Sequence, residues 1–406
     1  MNRGRINTIL ILSIWEDTWS LGEGSGVADE VHFVRHCIER GIELHFLIPE
    51  SAGSRASRDS ERLFYHTYPN VFEKYERLPT IMKRIVWPRS FRAVVTPPLG
   101  NLARELRPDI LLGFSHYALP SISRLGAELG LPTAVKLFGV MDLGRFDMPG
   151  WKYRWKNFEQ MSALRHPVDR YIVLNDGTRG DRALERLGIP EDKISFLPNG
   201  MDVEWAEMKF DRAEARRHFG LPGEKILAVT LSRLVPSKRV DLFLEAASNL
   251  APVILDSIGI VIGGDGPERE RLERLSRDLG LGGTTFFPGV IPHDEVPRFF
   301  AASDIFVGTN ELTNMSLPPC EAILCGVPVV AFDNAGTSEV VREGETGLLV
   351  RDGDVEHLTE RLTELMDKDR LRERLSRQAA AFGKRHFVSW EERIAMEIEI
   401  LEDLVK

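Results

Sequence analysis

The sequence is short of cysteine, of long apolar runs and of positive charge, and each shortage removes a class of protein. Cys37, Cys320 and Cys325 are odd in number and carry no metal or redox spacing. They exclude a disulfide framework and fit a reducing compartment. No apolar stretch approaches the roughly 18 to 20 residues needed to span a bilayer. Arg3 and Arg5 precede only the short run Ile9 to Ile14, which Trp15-Glu16-Asp17 ends, so no secretory leader is expected and a cytoplasmic location is. A net charge of −9 argues against nucleic acid as a partner, because binding a phosphate backbone calls for a basic face. The 406 residues exceed the size at which one core usually keeps growing, so two domains are expected.

What is present is an alternation of buried-strand patterns with amphipathic helical ones. Ile9-Leu10-Ile11-Leu12 lacks a polar alternate and reads as a first strand covered on both faces. Val27, Val31, Val34 and Ile38 then recur at helical spacing, and Gly41 stands where a C-terminal cap belongs. Leu44 to Ile48, Asp109 to Leu112, Thr133 to Phe138 and Tyr171 to Leu174 continue the series. After the turn Leu197-Pro198-Asn199-Gly200 comes a charged stretch that reads as a linker. A second series opens with Ile226 to Thr230 and continues through Gly259 to Ile262, Thr285 to Phe287, Ile305 to Val307 and Val327 to Ala331. Strands alternating with helices through short loops predict parallel sheets with helices on both faces, an α/β architecture of two Rossmann-like domains. Ligands of such sheets bind at the carboxyl ends of the strands.

Charge is unevenly spread. Between Ser51 and Arg107 eleven Lys/Arg stand against five Asp/Glu. Within that region, Ile81 to Arg89 mixes bulky apolar groups with cations around Trp87. The bland reading is a solvated helix face with Trp87 toward the core. The sharper one is peripheral contact with anionic lipid or a lipid-phosphate acceptor at the inner face of the membrane.

Several strand-end loops hold residues suited to chemistry. Gly22-Glu23-Gly24-Ser25-Gly26 differs from the dinucleotide fingerprint in glycine order and in its distance from the first strand, so NAD(P) is not expected. Its glycines would still let backbone amides approach a phosphate. Arg233 and Lys238 lie in the loop after the strand Ile226 to Thr230, where a guanidinium and an ammonium could grip a diphosphate. Gly263-Gly264-Asp265-Gly266-Pro267 reads as a tight turn between a strand and a charged helix. From Glu311 a polar loop, including Asn314 and Met315, enters a helix whose first residues Ser316 and Leu317 would offer free amides. That helix carries Glu321 among small apolar neighbours, where a buried carboxylate needs a hydrogen-bond partner such as a ligand hydroxyl. His116 and Asp176, each following a strand, are further candidates for a binding or catalytic role.

Taken together, these motifs resemble the family 4 retaining glycosyltransferases over nearly the whole chain, most closely from Leu197 to Leu349. Leu197-Pro198-Asn199-Gly200-Met201-Asp202 is similar to the family's turn before its second domain, and Ser232-Arg233-Leu234 with Lys238 to its diphosphate-binding arginine and lysine. Gly264-Asp265-Gly266-Pro267 matches its Gly-Asp-Gly-Pro turn, and Glu321-Ala322 with Cys325 to Val330 the helix whose glutamate holds the nucleotide ribose. The resemblance implies a GT-B fold, with an acceptor-binding domain over 1–205, a nucleotide-sugar-binding domain over 206–385, and a helix at 386–406 packing back toward the first domain. It implies a nucleoside-diphosphate sugar as donor, a glycan, lipid-linked or small-molecule acceptor, transfer with retention in cell-surface glycan, glycolipid or small-glycoside biosynthesis, and no metal cofactor. The base would rest near Phe287 to Val290, Gly266 and Asn314 to Leu317 would meet the donor, and Gly24 and Gly26 would close over its phosphates. Two positions depart from the pattern. The family's glutamate eight residues before Glu321 is Thr313, and its histidine before a glycine is Phe138. The alternatives are a nucleotide-sugar epimerase of the same fold and a non-catalytic homologue that binds nucleotide or glycan.

Overall fold

The computed structural model describes residues 4–15, 28–50, 61–71, 79–140, 148–175, 177–311, 317–334 and 336–405. The chain divides into two compact units, one of Met1–Gly200 with Ser389–Lys406, the other of Met201–Val388.

The first unit is built on seven parallel strands: β1 (Thr8–Leu12), β2 (Glu43–Pro49), β3 (Leu63–Tyr68), β4 (Ile110–Phe114), β5 (Thr133–Leu137), β6 (Arg170–Leu174) and β7 (Ile194–Leu197), in the order β3-β2-β1-β4-β5-β6-β7. Ile9 pairs with Leu44 on one side and Ile110 on the other. Its strand shows why no polar alternate occurs: Ile9 and Ile11 enter one core while Leu10 and Leu12 enter the other. The helix Ala28–Glu39 differs from its expected apolar stripe. Asp29, Glu30, Phe33, Val34 and Cys37 are its buried positions, whereas Val31 and Ile38 are only half-buried. The face is rotated because the last helix, Trp390–Glu402, covers it with charged partners. Arg393 and Glu397 of that helix are fully buried, and they meet Lys136 of β5 and Asp29. Lys136 Nζ lies 3.0 Å from Glu397, Arg393 lies 2.9 Å from Asp29, and the Lys136–Asp29 and Arg393–Glu397 pairs close the set. Two cations and two carboxylates thus balance in the interior, which is how buried charge becomes tolerable.

After a two-residue strand β8 (Gly200–Met201), the second unit carries six parallel strands: β9 (Ile226–Leu231), β10 (Ile258–Gly263), β11 (Thr285–Gly289), β12 (Ile305–Gly308), β13 (Val329–Asp333) and β14 (Gly347–Arg351), in the order β11-β10-β9-β12-β13-β14. Val229 at its centre pairs with Val261 and Phe306. The stretch expected to be a linker is packed structure instead. A short helix, Val203–Glu207, buries Trp205, and the helix Arg212–His218 buries Ala215 and Arg216. Arg216 is held inside by Asp304 at 2.7 Å and by the Ala302 carbonyl at 3.1 Å. Charge density there reflects a charged core contact rather than a solvated tether.

Candidate active site

In both sheets the chain reverses direction of winding beside the first strand of the unit, between β1 and β4 and between β9 and β12. Loops leaving neighbouring strands on opposite faces at such a point leave a crevice, and α/β sheets bind ligands there. Arg233 and Lys238 lie in the loop after β9, and Thr309, Asn310 and Glu311 follow β12.

These two loops are tied together. Thr309 Oγ1 donates to the Lys238 carbonyl at 2.8 Å, and the Glu311 amide donates to the Ser237 carbonyl at 2.9 Å. Arg239 does most of the fastening: Nε donates to the Thr309 carbonyl at 2.9 Å, and Nη2 to the Asn310 carbonyl at 2.8 Å and to Asp352 at 2.6 Å. Its guanidinium also lies 4.9 Å from the centre of the Phe332 ring. Fixed in this way, Arg239 cannot serve a ligand, and the neighbouring cations are left for one. Arg233 is exposed and Lys238 half-buried. Among the described residues no carboxylate forms an ion pair with either. Burial, and then the charge of Arg233, push the Lys238 ammonium below its usual range. Two cations at a switch point with no carboxylate paired to them among the described residues make this loop the candidate for binding an anion.

The turn at Gly264 and Gly266 is more than punctuation. The Leu234 amide donates to the Asp265 carbonyl at 2.8 Å and the Glu268 amide to the Leu234 carbonyl at 3.0 Å, so this turn is zipped to the Arg233 loop. Gly264 has φ 115°, and a Cβ there would lie 1.9 Å from the Ser232 carbonyl oxygen; at Gly266 it would lie 2.4 Å from that of Leu234. Only glycine allows so close an approach. The Gly264 amide also bonds the Gly289 carbonyl at 2.7 Å, which brings the end of β11 alongside. Phe287 to Gly289 belong to that strand rather than to a loop, and Val290 alone follows it, 68% exposed.

Glu321 is on the helix Leu317–Leu324, 6% exposed, and burial pushes its carboxyl up to about 7. Pro318 and Pro319 carry no N–H, so Leu317 and Cys320 hold the described donors of the first turn, fewer than a free helix start would offer. Sequence reasoning missed the partners around Glu321. His293 Nε2 lies 3.0 Å from Asp202 Oδ2, and this contact raises the imidazole above its ordinary value, helped by the charge of Glu321. His293 also leans on Trp205 at 4.9 Å. Asp202 closes the Leu197-Pro198-Asn199-Gly200 motif, so that motif contributes a charge as well as a turn.

In the first unit His116 follows β4 at the corresponding switch point. It comes after Ser115, whose φ is 83°. Burial pushes its imidazole down to about 4, so it is neutral at pH 7. Its Nδ1 has Ser115 Oγ at 3.4 Å and Gln160 Nε2 at 3.5 Å, and the ring faces a cavity of about 550 Å³. Phe138, which stands where the related pattern has histidine, packs between Trp15 at 5.0 Å and Phe114 at 5.6 Å. Gly24, Gly26, Asp176, Thr313, Asn314, Met315 and Ser316 lie outside the described residues. No group of three or more His, Cys, Asp or Glu that could hold a metal ion occurs among the described residues.

Fold and site define a class: a two-unit protein with Rossmann-like parallel sheets and a cationic strand-end site in its second unit. Residues 31–205 match the family model described as Glycosyltransferase Family 4, and residues 211–382 that described as Glycosyl transferases group 1. The chain belongs to this glycosyltransferase family. It is 33% identical over 226 residues to a GDP-mannose-dependent alpha-(1-6)-phosphatidylinositol monomannoside mannosyltransferase of Mycolicibacterium smegmatis, covering 52% of this chain and 57% of that one. It is 32% identical over 224 residues to a D-inositol 3-phosphate glycosyltransferase of Acidothermus cellulolyticus, covering 53% of this chain and 49% of that one. The chain thus spans about half the length of the curated relatives it matches. Among solved structures it superimposes on Anabaena HepE in complex with UDP, with TM-score 0.73, 16% identity and coverage of 97% and 100%. A sucrose-phosphate synthase from Thermosynechococcus elongatus gives 0.74 at 16% identity, covering 98% and 99%. These likenesses establish the fold.

Proposed function

We propose that this protein transfers a hexose from a nucleoside-diphosphate sugar to a hydroxyl acceptor with retention at the anomeric carbon. Its place would be in the synthesis of a cell-surface glycan, a glycolipid or a small glycoside. The observation that carries the reading is the pair Arg233 and Lys238, uncompensated and fastened at the switch point of the second sheet. Held there, the two cations neutralise the diphosphate as it leaves, which is where negative charge develops in the transition state. Glu321 accepts from the ribose hydroxyls, Val290 borders the base, and Gly266 and Leu317 approach the donor with backbone. Asn314, Met315 and Ser316 belong to the same donor-side assignment, with Gly24 and Gly26 closing over the phosphates. His116 and Asp176 are assigned to the acceptor side. The departing phosphate takes the acceptor's proton, and the two cations neutralise the diphosphate in the way a metal ion otherwise would, so the reading calls for no metal. Mannose on GDP is the first donor to try, since the relatives' names include GDP-mannose-dependent enzymes acting on an inositol lipid.

The test is turnover of GDP-mannose, UDP-glucose and other common nucleotide-sugars, with inositol phosphates and inositol lipids as acceptors and with EDTA present. The reading expects acceptor-dependent release of the nucleoside diphosphate, unaffected by EDTA, with an α-linked product by NMR. Conversion of the sugar without an acceptor would replace it with an epimerase, and strict EDTA sensitivity would remove the metal-free mechanism.

A further inference from the structure

The helix Gly150–Ala163 of the first unit is amphipathic the wrong way round. Tyr153 and Asn157 point inward at 8% and 4% exposure, while Trp151 and Trp155, one turn apart on the opposite face, are 71% and 60% exposed. A helix stabilised only by its own core would bury the tryptophans, because they remove the most apolar surface from water. Beside it runs the helix Thr80–Leu106, whose Arg84 donates to the Lys156 carbonyl at 3.0 Å. That helix buries Phe91, Val95 and Leu99 but leaves Met82 and Ile85 47% exposed. The two exposed stripes meet: the Trp155 ring lies 6.3 Å from that of Phe158, tilted by 37°, and Phe158 and Ile85 line the same cavity.

Charge tells what covers this face. From Thr80 to Arg92 and from Gly150 to Ala163 there are seven Lys/Arg and one carboxylate, Glu159, in a chain of net charge −9. Lys83 lies over the Trp87 ring at 5.4 Å and Lys152 over Trp151 at 5.5 Å, so cation and ring are placed side by side. Tryptophan favours the boundary between head groups and acyl chains, and Lys/Arg beside it are drawn to an anionic leaflet. The rest of this acidic chain is repelled by such a leaflet, so the field also selects which face approaches. Immediately behind the patch, the cavity of about 550 Å³ is lined by Arg84, Arg89 and Arg92 against the one carboxylate of Glu159. That balance suits a phosphate-bearing head group rather than bare hydrocarbon.

We propose that the face formed by Trp151, Trp155, Ile85 and Met82 with their flanking cations docks on an anionic phospholipid bilayer and presents the adjacent arginine-lined cavity to a lipid head group. This docking is independent of the donor site assigned above. The clusters lie in the first unit, so a variant of the patch leaves the Arg233 loop untouched.

Cosedimentation of the full chain with vesicles tests it, using phosphatidylcholine alone or with about one third phosphatidylglycerol, at low and high salt. The wild type should bind the anionic vesicles at least tenfold more tightly than the neutral ones and lose most of that binding in high salt. The pair Trp151→Ala with Trp155→Ala, and separately Lys152→Glu with Lys156→Glu, should each lower binding about tenfold. Both should retain the wild-type circular dichroism and the wild-type thermal response to nucleotide. Equal binding of neutral and anionic vesicles, or undiminished binding by both variants, overturns the proposal. So does concentration-dependent self-association that the tryptophan variant abolishes, since the occupant of the face would then be a second copy. A chain that docks but shows no thermal response to nucleotide keeps this proposal and loses the transfer reading.

Discussion

At the scale of single residues, the site separates cations that are used up by the fold from cations that are left over. Arg239 has three hydrogen bonds to protein, whereas Arg233 and Lys238 have no carboxylate in contact among the described residues. A sequence gives no means of telling these apart, because Arg239 finds its partners at Thr309, Asn310 and Asp352, far along the chain. For the same reason His293 and Asp202 were invisible as a pair, while Glu321 stood out as a lone carboxylate on an apolar helix. Its carboxyl titrates at about 7 because burial disfavours the charged form. Raised above the unfolded value, this group contributes most stability below about pH 4.5 and loses it as pH rises to about 7. Ribose hydroxyls donate best to the ionised form, so affinity for a nucleotide-sugar should increase as pH rises through about 7. Glu321→Gln should remove that pH dependence, weaken nucleotide-sugar binding by about 1.5 to 3 kcal/mol as for a lost charged hydrogen bond, and stabilise the free protein above neutral pH. Calorimetric titration between pH 6 and 8.5 reads the first two effects. A parallel pH profile in wild type and variant would remove Glu321 from the donor site.

At the scale of elements, the central strands were legible, and of the edges of the two large sheets only β11 was. β1, β2, β4 to β6, β9, β10, β12 and β13 are apolar runs because helices cover both faces. In the two large sheets the strands not anticipated, β3, β7 and β14, are the other edges, and their sequences Leu63–Tyr68, Ile194–Leu197 and Gly347–Arg351 reflect one unpaired side. The burial of the helix Ala28–Glu39 was misjudged because its inward Asp29 depends on a helix some 360 residues later. That last helix is locally well specified, with a reciprocal cap between Ser389 and Glu392, and Gly200 makes room for it: a Cβ there would come 2.3 Å from the Trp390 ring. Its attachment rests on the four buried charges. Glu397→Ala leaves Lys136 and Arg393 with one carboxylate between them and should cost about 3 to 5 kcal/mol in urea unfolding of the intact chain. A loss below about 1 kcal/mol would mean that apolar contacts of Ile394, Ile398 and Leu401 hold the helix by themselves.

At the scale of the whole chain, two parallel sheets in succession place their distinctive polar residues at two switch points with different characters. The second unit offers two cations without a paired carboxylate among the described residues and a raised carboxyl, which the proposed function assigns to a diphosphate and a ribose. The first offers a neutral imidazole beside an arginine-lined cavity, with a tryptophan-bearing basic face next to it. Among the described residues no helix is long and apolar enough to cross a membrane. The account as a whole stands on the diphosphate site, and the most direct measurement is the thermal response of wild type and Arg233→Ala to GDP, UDP, ADP, CDP and their sugar conjugates. One nucleotide series, at 100 times its dissociation constant, should stabilise the wild type by about 2.7 kcal/mol. Because Arg233 is exposed, the variant should unfold like wild type without ligand and bind that series at least tenfold more weakly. A protein that responds to none of these nucleotides, or a variant that responds as the wild type does, would contradict the assignment of Arg233 and Lys238 to the donor's diphosphate.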